Sequence, residues 1–222
     1  MSNNKARISG LTSAFAFLFI LTQGLGATSF SSFDLISIPA SGTEGIANPY
    51  PSTIDASGLT GAITDVNVTI NGLSHTFPDD IDVLLVGPGG LKIILMSDAG
   101  GPHDVTNINL TFDDQAGAAL PNGSALASGS FTPANYTGNG GANDFFPGPA
   151  PAGPYGSLLS IFNGSDPNGT WSLFVFDDEG ADVGTIANGW SLDITTAISE
   201  PSTLVLFGAG LLALAGRKRI KR

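Results

Sequence analysis

Asp177, Asp178, Glu179 and Asp182 place four carboxylates within six residues with no cation beside them. A solvated acidic loop accounts for them, and so does a divalent cation that gathers them. Calcium takes about six to eight oxygen ligands in irregular geometry, which Asp-rich loops supply. Three stretches end alike, at Leu95-Met96-Ser97-Asp98, Thr111-Phe112-Asp113-Asp114 and Val175-Phe176-Asp177-Asp178. If these are strands running the same way in an antiparallel sandwich, their ends share a rim, where they meet Asp79, Asp80 and Asp82. The expected ligands of a structural Ca2+ are Asp80, Asp82, Asp98, Asp177 and Asp178. Carboxylates held together repel one another, and a bound cation offsets that repulsion.

Other chemistries find little support. The chain has no Cys, so there is no thiol nucleophile or thiolate ligand and no disulfide. Its two histidines, His75 and His103, lack the His-Glu-x-x-His spacing of catalytic zinc, and no Gly-x-Ser-x-Gly elbow is present. His75 beside Asp79 and Asp80 is read as a hydrogen-bonded loop histidine. Lys92 follows Gly87-Pro88-Gly89-Gly90 without the Gly-Lys-Ser/Thr triplet of a phosphate loop, and that segment reads as a hairpin turn. From Thr28 to Ser199 there are sixteen Asp and two Glu against the single Lys92. So acidic a body repels nucleic acid and anionic lipid headgroups. The expectation is a chain that is not an enzyme.

The elements that must position the carboxylates are nearly all strands. Val66, Val68 and Ile70 share one face of a half-buried strand, and Ile81 to Val86 and Leu91 to Met96 flank the Gly-Pro-Gly-Gly turn. Ile108, Leu110 and Phe112 alternate in another strand. Trp171, Leu173 and Val175 form one face and Trp190, Leu192 and Ile194 a second, so Trp171 to Thr196 reads as two strands facing each other across the acidic loop. Asn168-Gly169 and Asn188-Gly189 supply the turns ahead of them. Phe33 to Ile38 is a short candidate strand before a Pro/Gly/Ser-rich arm. Asp113 to Gly156 reads as one long loop carrying Phe131, Tyr136, Phe145, Phe146 and Tyr155. These form either an aromatic platform for sugar rings or pins that hold the loop onto the sheet. Short strands at regular spacing predict an all-β, two-sheet antiparallel sandwich with both tryptophans in or beside its core.

Trp171-Ser172-Leu173, Asp177, Asp182-Val183-Gly184-Thr185-Ile186 and Gly189-Trp190-Ser191-Leu192 together resemble the closing hairpin of the P domain (Homo B domain) of proprotein convertases. His75 to Asp82, with Val83 to Gly87 and Pro88-Gly89-Gly90, resembles that domain's earlier hairpin. The resemblance spans about residues 63 to 196 and implies a jelly roll of the galactose-binding-like kind. P domains accompany subtilisin-like protease domains, and this chain has no room for one.

Both ends are hydrophobic. Lys5 and Arg7 precede an apolar run from Leu11 to Leu21, followed by Gly24, Gly26 and Ala27, the layout of a secretory signal peptide cut after Gly26 or Ala27. Leu204 to Gly216 is uncharged and ends at Arg217-Lys218-Arg219-Ile220-Lys221-Arg222, which reads as a short membrane anchor with its basic end in the cytoplasm. Glu200-Pro201-Ser202-Thr203, the apolar stretch and the basic tail resemble a PEP-CTERM sorting signal, with Ser199-Glu200-Pro201 where that pattern has Pro-Glu-Pro. The resemblance implies cutting near Glu200 and Pro201 by an exosortase of a Gram-negative bacterium. A hydrophobic helix is therefore expected at each terminus. The implied division is a signal peptide over 1–27, an arm over 28–62, the sandwich over 63–198 and the sorting signal over 199–222.

Six Asn-x-Ser/Thr sites, at Asn67, Asn109, Asn122, Asn135, Asn163 and Asn168, are acceptor-like in an exported chain, and three of them are Asn-Gly turns. The expected function is that of an exported, non-catalytic structural or adhesive protein. It passes from the inner membrane to the outer surface or extracellular matrix, with signal peptidase and exosortase as its processing enzymes. The alternatives are a carbohydrate-binding module for exopolysaccharide and an accessory domain that stabilises a subtilisin-like protease in trans.

Overall fold

The structure, a computed structural model, describes residues 26–137 and 144–197 of the 222-residue chain. The two hydrophobic helices expected at the termini fall on residues 1–25 and 198–222, outside the described residues. Among the described residues no helix is long and apolar enough to cross a membrane.

The described chain is all-β. Its strands are β1 (Gly26–Ser32), β2 (Ile36–Ile38), β3 (Gly45–Ile46), β4 (Ser52–Ala56), β5 (Ile63–His75), β6 (Ile81–Val86) and β7 (Lys92–Ser97). Then follow β8 (Val105–Phe112), β9 (Gly129–Phe131), β10 (Ala134–Asn135), β11 (Gly169–Asp177), β12 (Gly184–Ile186) and β13 (Trp190–Thr196). Two 3₁₀ turns, Pro78–Asp80 and Leu159–Phe162, are the only helical pieces among the described residues.

Seven strands form one sheet, built on β5, which takes β13 and then β12 along one edge and β8 along the other. Six form the second, in the order β10-β7-β6-β11-β3, with β4 also on β11. The alternation read from sequence explains the packing. In β13 the pattern Trp190, Leu192, Ile194 is buried while the residues between are half-buried. Trp171 and Trp190 are both fully buried, as expected. The Trp171 indole N–H donates to the Pro167 carbonyl at 3.1 Å and that of Trp190 to the Ser52 hydroxyl at 3.0 Å, so neither ring leaves an orphaned donor in the core.

Three expectations are corrected. β11 and β13 do not pair as a hairpin: β11 bonds β3, β4 and β6 in one sheet, β13 bonds β1 and β5 in the other, and both tryptophans belong to the core between them. Each strand carries an alternating set of apolar residues on its core side, Trp171, Leu173 and Val175 in β11 and Trp190, Leu192 and Ile194 in β13, and such faces are buried as well between sheets as along one. The sandwich is also mixed rather than antiparallel throughout, because the segment after β8 turns back and adds β9 to β8 and β10 to β7 in parallel. Finally, His75 is no loop residue but the buried last residue of β5.

The arm over 28–62 contributes most of β1 and all of β2, β3 and β4. β1 forms the edge of the seven-stranded sheet, in register with β13 from Gly26↔Thr196 to Ser32↔Trp190.

Candidate functional site: an acidic rim

β6 begins, and β7 and β11 end, at one rim of the six-stranded sheet, because β6 runs antiparallel to both. That brings Asp82 on β6 beside Ser97 and Asp98 at the end of β7. Asp178 at the end of β11 stands near both aspartates, raising the carboxyl pKa of Asp82 and being raised by Asp98. Asp144 completes the group: Asp82, Asp98 and Asp144 each present a carboxylate oxygen within 4.8 Å of the other two. Two oxygens bound to one calcium at about 2.3–2.6 Å lie at most about 5 Å apart, so the spacing of these three is within that limit.

The Ser97 hydroxyl lies 2.9 Å from Asp98 Oδ2 and 2.7 Å from Asp144 Oδ1, with one hydrogen to give. Asn135 Nδ2 donates to Asp144 Oδ2 at 2.7 Å. Two nearby phenols send their protons elsewhere, Tyr50 to the Pro147 carbonyl at 2.9 Å and Tyr155 to the Pro151 carbonyl at 3.3 Å. Lys92, the single Lys or Arg among the described residues, stands at the opposite end of β7.

Asp82 is 3% exposed, and its pKa is pushed up to about 8. Burial is the main cause; a hydrogen bond from Ser97 opposes it, and the Asp178, Asp144 and Asp98 carboxylates add to it. Asp178 rises to about 6, through burial and then the charges of Asp98, Glu179 and Asp177. An all-oxygen donor set of this acidity fits a hard cation.

A second group lies beside the first. Asp177 is fully buried, with Oδ2 3.2 Å from His75 Nε2 and Oδ1 without a partner. His75 Nδ1 accepts from the Phe77 N–H at 3.2 Å, which fixes the ring's other nitrogen, Nε2, as the one carrying hydrogen toward Asp177. Gly184 makes the arrangement possible, since a Cβ there would run into Ser74 and the His75 ring. Asp80, 8% exposed, has its pKa raised to about 7 by burial first and then by Asp177, Asp182 and Asp178, while His75 lowers it.

Of the five expected ligands, the structure thus gathers Asp82 and Asp98 with Asp178 beside them, and groups Asp80 and Asp177 around His75. Asp144 was missed because it lies in the long loop, far from any strand end legible in sequence. Asp113 and Asp114 do not join the rim. Asp113 raises the pKa of Asp65 at the other end of β5, and Asp114 accepts from the Leu159 and Ser160 N–H groups, both at 2.8 Å. β8 runs antiparallel to β5, so its end arrives there.

The five loop aromatics form no single platform. Phe131 and Tyr136 pack on the main core, and Phe146 and Tyr155 pack on a smaller cluster with Leu84, Ile94 and Phe174 over the outer face of the second sheet. Phe145 is exposed.

Residues 197–219 match the model of the PEP-CTERM protein-sorting motif. The chain carries a PEP-CTERM sorting motif at its C-terminus. That motif implies export and exosortase-dependent sorting, and it covers Glu200, Pro201, Ser202 and Thr203. No curated protein matches the chain. Among solved structures it is similar to a complex of the Aeromonas sobria serine protease with its chaperone, at 15% identity and a TM-score of 0.35, covering 78% of this chain and 28% of that one. It is likewise similar to the serine protease of Aeromonas sobria, at 15% identity and a TM-score of 0.34, covering 77% of this chain and 27% of that one. The chain therefore spans less than a third of the length of either.

Proposed function

We propose that this protein is a non-catalytic β-sandwich module, a jelly roll of the P-domain kind, with a structural or adhesive role at the outer surface or in the extracellular matrix of a Gram-negative bacterium. The observation that carries the proposal is the PEP-CTERM motif beginning at Ala197, immediately after the last strand. A folded body fused directly to a sorting signal has the layout of delivered cargo. Consistent with it, the buried His75 and Asp177 side chains bond to each other, and His75 Nδ1 accepts from the Phe77 N–H.

Within this reading, Asp82, Asp98 and Asp144, joined by Asp178, hold a structural Ca2+. The ion neutralises a rim that otherwise concentrates like charge, and joins the starts and ends of three strands to the 144–156 loop. The supporting observations are the oxygen spacing and the burial of Asp82.

The test compares the full chain with one stopped after Ala197, by surface labelling and fractionation of cells that make an exosortase. The full chain should appear at the surface or in the matrix and the shortened one in the periplasm. Equal distribution of the two would refute the proposal.

A further inference from the structure

The sorting motif and the sandwich share a residue. Ala197 opens the motif, and it is still held by the fold: its N–H donates to the Ala62 carbonyl at 2.9 Å. Gly61, at φ +84°, lies so close that a Cβ there would run into the Ala197 carbonyl oxygen. The chain is therefore pinned to the 61–62 loop at the position where the motif starts. Only Ile198 and Ser199 separate Ala197 from Glu200, so even fully extended chain carries Glu200 no more than about 11 Å from Ala197.

A peptide bond that close to a folded surface cannot enter an enzyme's cleft unless the enzyme comes against that surface. Around Ala197 the surface is a cleft of about 370 Å3 formed by two loops, one carrying Leu59, Gly61 and Ala62 and the other Gly164, Ser165 and Asp166. The loops are tied together, since the Ile63 N–H donates to the Ser165 carbonyl and the Gly164 N–H to the Ile63 carbonyl. Asn168 clamps the first loop from the second, accepting from the Leu59 N–H and donating to the Leu59 carbonyl, both at 3.0 Å. The rim is thus built rather than loose.

The N-terminal side leads to the same place. Gly26 is the register partner of Thr196, so the start of the first strand lies one strand spacing, about 5 Å, from the end of the last. The expected signal-peptide cut, after Gly26 or Ala27, falls at this rim too. The acidic rim is at the far end: β11 leaves the cleft at Gly169 and reaches Asp177 eight residues on, about 26 Å away.

From these placements we infer that the rim formed by the 59–62 and 164–166 loops around Ala197 is a contact surface for the exosortase that removes the tail. Recognition of the substrate then extends past the motif onto the folded domain. The inference rests on the proposal that the tail is cut, and adds where the enzyme sits when it cuts.

The test is pulse-chase of tail removal in cells making the exosortase, with the thermal midpoint of each purified sandwich measured alongside. Thr60→Arg/Ala62→Arg adds two positive, bulky groups at exposed positions of the rim. Asp34→Arg makes the same charge change on the exposed turn after β1, at the opposite end. The rim variant should slow tail removal about fivefold or more, the effect of losing one contact worth over 1 kcal/mol, with the Asp34 variant near the parent rate. Eight Gly/Ser residues inserted after Ala197 should slow the otherwise unchanged chain about as much, because they uncouple the cut site from the surface that the enzyme contacts. If the rim variant is processed at the parent rate with its midpoint unchanged, the inference fails and the sorting proposal stands. If the chain with the spacer alone is processed at the parent rate, the inference fails as well. A parent chain whose tail is never cut overturns both.

Discussion

Asp177 Oδ2 lies 3.2 Å from His75 Nε2 with both side chains sealed from solvent, and this pair links the end of β11 to the end of β5 across the two sheets. It is a side-chain polar tie between the sheets at the acidic end of the sandwich.

His75→Ala leaves the Asp177 carboxylate buried with neither oxygen bonded to a side chain, since Oδ1 already lacks a partner. Removing one member of a buried pair typically costs about 3–5 kcal/mol. The double variant His75→Ala/Asp177→Asn should cost less than the sum of the two single ones. Urea denaturation of the four proteins gives the coupling; strict additivity would mean that the pair contributes no interaction of its own.

Calcium should raise the unfolding free energy of the sandwich. At a free concentration about a hundred times its dissociation constant the gain is about 2.7 kcal/mol. Asp82→Asn keeps the shape of the side chain and removes the charge that the ion needs, so the response should vanish. A thermal midpoint that ignores both excess calcium and chelator would remove the metal from the account.

In chelator the pH dependence has a definite sign. Asp82, Asp80 and Asp178 have folded-state pKa values raised from 3.8 to about 8, 7 and 6, with burial as the first cause of each. A carboxyl raised by folding holds its proton more tightly when folded, so its contribution is fully present below about pH 4 and is lost as pH rises through the folded value. The metal-free sandwich should lose stability from pH 5 to pH 8.5, less steeply in Asp82→Asn. Calcium should reverse the loss at pH 8.5 and do little at pH 5, where protons compete for the ligands. Urea midpoints at the two pH values decide it, and a metal-free protein more stable at pH 8.5 would contradict the assignment.

Trp190→Ala removes a fully buried ring and leaves the Ser52 hydroxyl without its donor, and should cost about 3–5 kcal/mol by chemical denaturation. A loss under about 1 kcal/mol would mean that the second sheet does not pack on this ring.

Alternation made the strands legible, and the Gly87-Pro88-Gly89-Gly90 turn made the β6–β7 hairpin so: the Gly87 N–H donates to the Leu91 carbonyl at 2.9 Å. Which sheet each strand joined was not legible, because Trp171 and Trp190 look alike in sequence whether they pair or face each other. β9 and β10 are three and two residues long, too short to show a period, and they produce the parallel pairings. For the site, Asp82 and Asp98 followed from strand ends in one hairpin, where sequence fixes proximity. Asp144 depended on where a long loop lands, and no local pattern encodes that.

Export and tail removal are tested most directly by the intact mass of the protein recovered from the cell surface or matrix of a bacterium that makes an exosortase. That mass should be of a chain that starts just after Gly26 or Ala27 and ends near Glu200, with the basic tail gone. A surface protein that retains Arg217 to Arg222, or one that still begins at Met1, would contradict it.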